Sequence, residues 1–74
     1  MKLEWRKVDR GRLVLYADEH PSMIALEFKP NEIGEHSKPF ALHCGVRVET
    51  FAALEEAKNK GITWWAEMHE LGLL

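Results

Sequence analysis

The apolar residues change period near residue 50, and that change constrains the fold more than any other feature. Before it, Leu3 and Trp5 alternate with Lys2, Glu4 and Arg6, and Ile24, Leu26 and Phe28 alternate with Glu27 and Lys29. After it, Leu54, Ala57, Lys58, Gly61, Trp65, Met68 and Gly72 trace one stripe at helical spacing. A period of two belongs to a half-buried strand and a period near 3.6 to an amphipathic helix. Strands first and one helix last bury both apolar sets most simply when the helix lies on one face of an antiparallel sheet. The expected class is therefore α+β: a small antiparallel sheet of three to five strands followed by one C-terminal helix. With 74 residues the chain forms one domain, sheet over about 2–49 and helix over about 51–70.

The strands can be placed from their punctuation. Asp9-Arg10-Gly11 reads as a turn, and Arg12 to Ala17 as a second strand apolar on both faces. Asp18 to Ser22 has loop chemistry, Met23 to Lys29 is a third strand, and residues 30–39 are a polar loop bounded by prolines. Phe40 to Cys44 is a fourth strand, and Gly45 leads to a short fifth, Val46 to Val48. Thr50 is the expected helix N-cap, since its hydroxyl can accept a bond from a free backbone N–H of the first turn. Gly61 is the weak point of the helix, costing about 1 kcal/mol against alanine; it could be a C-cap with a new turn at Thr63, but one helix, with a kink at most, is the favoured reading. Ile24, Leu26, Phe28, Leu42, Leu54, Ala57, Trp65 and Met68 are the expected core.

Composition narrows the function classes. Apolar residues make up 46% and charged residues 30%, which is globular rather than disordered. No apolar run approaches the roughly 18 residues that span a bilayer, so no membrane partner is expected. One cysteine, Cys44, rules out an internal disulfide, and a domain this small in an oxidising compartment would carry several. With no apolar stretch after the first basic residues there is no signal-peptide pattern, and the expected location is the cytoplasm.

No catalytic constellation stands out. His43 and Cys44 are neighbours in a strand, so their side chains should diverge, and Cys44 should be a small buried apolar residue. His20, His36, His43 and His69 lack the short paired spacings of a zinc site. Glu67 and Glu70 flank His69 on what should be a solvated helix face. No phosphate loop, nucleophile elbow or zinc-protease motif occurs. The expectation is a non-enzymatic protein with no catalytic residues, no metal and no cofactor.

Two surface patches remain. The first twelve residues hold five cations against two anions, a net of +3, whereas the whole chain is at −2. Arg6, Lys7, Arg10 and Arg12 cluster at the first hairpin turn and could contact phosphates, with Trp5 or Tyr16 stacking on a base. The other patch is Trp64 with the tail residues Leu71, Leu73 and Leu74. Adjacent helix residues lie about 100° apart, so with Trp65 in the stripe Trp64 is expected at its edge, close to Leu71. Tryptophan is enriched at binding hot spots, and an exposed apolar patch often marks an interface.

Trp5 in the first strand, the turn at Gly11 and the segment Thr50-Phe51-Ala52-Ala53-Leu54-Glu55-Glu56-Ala57-Lys58 together resemble small phage- and prophage-encoded proteins built as a sheet with a C-terminal helix. That resemblance implies an accessory role, binding and blocking a host protein. The expected function is thus a protein-binding module that contacts itself, as a homodimer, or a host factor through Trp64, Leu71, Leu73 and Leu74. The alternative is a nucleic-acid-binding regulator using the basic hairpin.

Overall fold

The computed structural model describes residues 2–29 and 38–72. Five strands, β1 (Leu3–Asp9), β2 (Arg12–Ala17), β3 (His20–Phe28), β4 (Phe40–Cys44) and β5 (Arg47–Phe51), precede one helix, α1 (Leu54–Glu70). The strands pair antiparallel in chain order as a meander. The helix packs across β3, β4 and β5, which gives the expected α+β architecture.

Alternation sorts the strand residues onto two faces. The helix side carries Leu3 and Trp5 from β1, Leu13 and Leu15 from β2, Ile24 and Leu26 from β3, and Leu42 and Cys44 from β4. The open side carries Arg6, Val14, Ala25, His43 and Val48, which lie in one row across the sheet. On that side the Arg6 guanidinium sits 4.5 Å over the Tyr16 ring and bridges to Glu4 at 3.1 Å and Glu19 at 2.6 Å. These bonds hold the Glu19 carboxyl below its ordinary range.

The strand boundaries differ from the expectation at two turns. β3 begins at His20, not Met23, because Asp18 and Glu19 alone form the turn, both with positive φ (47° and 72°). Two central residues in that conformation make the hairpin turn that matches sheet twist. Neither is glycine, so the usual signature is missing. Asp18 compensates locally: its backbone N–H donates to the Lys2 carbonyl at 2.9 Å, and its carboxylate accepts from the Lys2 N–H at 2.8 Å. Pro21 fits inside β3 beside a register shift between β2 and β3, where a missing N–H is tolerated. At the other end β5 continues to Phe51, opposite Phe40, so Thr50 is a strand residue and not the N-cap. Ala53 stands at the cap position with no side-chain bond, and Glu55 and Glu56 favour the helix start through the dipole.

The helix is a single element, as expected, and runs through Gly61 without ending there. Gly61 is buried, and a Cβ built on it would lie 2.6 Å from Cζ2 of Trp5 and 3.2 Å from Cδ1 of Leu42. Glycine is there because the Trp5 indole needs the helix backbone's own surface. The correction is Trp64, which is not at a surface edge but 0% exposed. Ala57, Gly61, Trp64, Trp65 and Met68 fall at i, i+4, i+7, i+8 and i+11, so the stripe facing a sheet is wide enough to take both indoles. Of the expected core, Ile24, Leu26, Leu42, Ala57 and Trp65 are buried, and Leu54 and Met68 pack at its margin. Phe28 is 39% exposed at the end of β3, its ring against Phe40 at 5.2 Å.

Candidate functional site

Of the expected interface, Trp64 is buried in the core and Leu71 is exposed. Trp64 lies under the Arg47 guanidinium, which sits 4.2 Å from its ring centroid. Leu71 is 74% exposed just past the last turn, and Leu73 and Leu74 lie outside the described residues. An indole closed in by its own domain presents nothing to a partner.

The basic hairpin is divided. Arg6 belongs to the open face and is engaged by Glu4, Glu19 and Tyr16. Lys7 alternates onto the helix side, Arg10 is in the turn, and Arg12 is on the open side opposite Glu27. The exposed members Lys7, Arg10 and Arg12 surround the turn rather than lining one face.

Nor do the residues with chemical potential converge. Cys44 faces the helix while His43 faces the open side, as strand alternation requires. The Cys44 thiol donates to Sδ of Met68 at 3.1 Å, and burial pushes its pKa up. It is therefore held as the thiol, the unreactive form. Glu67 points to Arg47 at 4.0 Å, whereas the His69 ring stacks on Trp65 at 4.8 Å. Among the described residues no three His, Cys, Asp or Glu side chains come together, and no helix is long and apolar enough to cross a membrane. His36 lies outside the described residues.

Two shallow depressions flank the helix. One, of about 210 Å³, is floored by Leu13, Leu26, Phe28, Phe40 and Leu54 with Lys7 and Arg12 at its rim. It contains no carboxylate, thiol or imidazole. The other, of about 320 Å³, lies between the Asp18 turn and the Trp65–His69 stack and includes His20 and Ser22. Ser22 is committed there: its hydroxyl donates to the Leu15 carbonyl at 2.7 Å and accepts from the Ile24 N–H at 3.2 Å.

The remaining feature is the sheet's two edges, which differ. An unpaired strand presents free N–H and C=O groups to any other chain, and proteins usually blunt it with charge, proline or a bulge. β1 is blunted by a register shift between Lys7 and Asp9 and by Lys2, Arg6 and Lys7. β5 has no shift and no proline, its charges are one cation and one anion, Arg47 and Glu49, and all of it but Phe51 is exposed. Gly45 opens the β4–β5 hairpin at φ +63°, the first position of a two-residue turn whose strained conformation glycine permits. Such a turn closes on a hydrogen-bonded pair, here Cys44 with Arg47, and bonded pairs alternate with unbonded ones. Arg47 and Glu49 therefore direct their backbone groups to β4, and Val48 and Thr50 direct theirs outward. Side chains follow the other alternation: Arg47 and Glu49 on the helix side, Val48 and Thr50 on the open side. The sequence reading missed this edge, although its signal is present: the last strand of a meander is necessarily an edge, and Val46-Arg47-Val48-Glu49-Thr50 alternates branched and charged residues.

No family model, curated protein or solved structure matches the chain.

Proposed function

We propose that this chain is a non-enzymatic protein-binding module, and that partners dock on it by adding a strand to the free edge of β5. The observation that carries this reading is the contrast between the edges: β1 is interrupted by a register shift, whereas β5 is regular and pairs with no strand beyond it among the described residues. Strand addition draws affinity from main-chain hydrogen bonds and specificity from alternate side chains. β5 supplies both, with outward backbone groups at Val48 and Thr50 and the half-exposed Val48 side chain beside them. The resemblance to phage-encoded accessory proteins adds the setting, a host protein as the one bound. The scattered chemical groups and the buried thiol favour binding over catalysis.

Val48→Pro tests the reading. Proline is tolerated where a strand's N–H faces solvent, so the variant should fold and melt close to wild type. Tagged wild-type protein should retain, after nuclease treatment, a partner from a lysate of its source that Val48→Pro loses. Equal retention by both proteins would remove the β5 edge as the docking site. Retention that vanishes with nuclease would transfer the function to the basic hairpin.

A further inference from the structure

Resting on that reading, we infer that a second copy of this chain is an occupant of the β5 edge: two β5 strands pair antiparallel about a twofold axis at Val48 and join two sheets into one. Self-complementarity of a single register carries the inference. A twofold axis perpendicular to the sheet keeps both helices on one side and places residues of equal face opposite each other. Centred on Val48, it sets Val48 against Val48, Val46 against Thr50 and Arg47 against Glu49, the last pair occurring twice. Neighbouring registers fail on charge. An axis at Arg47 opposes two guanidiniums, and one at Glu49 opposes two carboxylates, each a destabilising cross-strand pair. An axis at Thr50 runs the pairing past Phe51, where β5 ends.

The backbone phase agrees with the same register. Val48 and Thr50 carry the outward N–H and C=O groups, so an axis at Val48 makes Val48–Val48 a bonded pair. Arg47 can take part while its guanidinium covers Trp64 at 4.2 Å, because its side chain is 55% exposed and its contact with Glu67 is long, at 4.0 Å. On the open side Val48, itself 54% exposed, would gain an apolar neighbour. Two five-residue strands bury less than the roughly 1,200 Å² of a stable interface, so the dimer is weak, with a dissociation constant on the order of 10–100 µM.

Sedimentation equilibrium to about 1 mM protein tests this, with Glu49→Lys, Arg47→Glu and Val48→Pro alongside wild type. Wild type should dimerise, and Glu49→Lys should raise the dissociation constant about tenfold or more by opposing Arg47 with lysine twice. Arg47→Glu alone should also be monomeric, while an equimolar mixture with Glu49→Lys should restore the dimer, because each opposed pair is then one cation and one anion. Should Arg47→Glu not fold without its cation over Trp64, Glu49→Lys and Val48→Pro decide the matter, both being folded and monomeric if the register is right. A wild-type monomer at every concentration, or a Glu49→Lys dimer as tight as wild type, overturns self-pairing. If wild type is monomeric yet Val48→Pro still abolishes capture of another protein, self-pairing fails and the edge reading stands. Capture unaffected by Val48→Pro sinks the edge reading itself.

Discussion

Trp64→Ala is expected to unfold the domain or bring it to the verge of unfolding. The indole is the largest fully buried side chain, and removing such a group costs about 3–5 kcal/mol in lost burial and residual cavity. A 74-residue domain has roughly 4–11 kcal/mol in total at typical values per residue. The melting temperature should fall by about 15–30 °C at the usual few degrees per kcal/mol for this size. Trp64→Phe should cost far less, since an aromatic face remains under Arg47 and the buried indole N–H, which has no hydrogen-bond partner, is gone. Thermal melts followed by circular dichroism decide it. A Trp64→Ala protein melting within a few degrees of wild type would place the indole at the surface.

Gly61→Ala carries the second large effect, opposite in sign to helix propensity. Alanine should stabilise a helix by about 1 kcal/mol over glycine at an exposed interior site. At Gly61 the added methyl would sit 2.6 Å and 2.8 Å from two Trp5 ring atoms, with Leu42 behind at 3.2 Å. Overpacking of this kind costs about 1–3 kcal/mol, which cancels or outweighs that gain, so the net expectation is a loss of up to about 2 kcal/mol. The sign should reverse once the obstacle is removed: in a Trp5→Leu background, Gly61→Ala should be neutral or stabilising. A double-mutant cycle by denaturant titration gives the coupling directly. Stabilisation by Gly61→Ala in the wild-type background would show that Trp5 does not lie on the helix backbone.

These two residues also show where reading the sequence stops. The change of period near residue 50 made the order of elements legible, because alternation and helical spacing are properties of the chain itself. Gly61 reads only as a weak point of the helix because its reason lies on β1, 56 residues away, in a tryptophan that needs room. Trp64 looked peripheral because a narrow stripe was assumed, whereas a helix on a broad sheet buries a wide one. The Asp18–Glu19 turn was hidden because the left-handed conformation usually advertises itself with glycine or asparagine, and here Lys2 and Arg6 fasten the turn instead. The separation of His43 from Cys44 was legible from alternation alone. The edge is legible only once the strands are ordered as a meander, since an edge is defined by what fails to pair with it.

The proposed binding role rests on the open edge of β5, and residue-resolved amide hydrogen exchange in dilute solution tests that edge most directly. The account predicts that Val48 and Thr50 exchange quickly, near the rate of an open chain, while Arg47 and Glu49 between them are protected by β4. Protection of Val48 and Thr50 in the dilute monomer, or equal exchange along the whole strand, would contradict it: the edge would then be either covered by the domain itself or no edge at all.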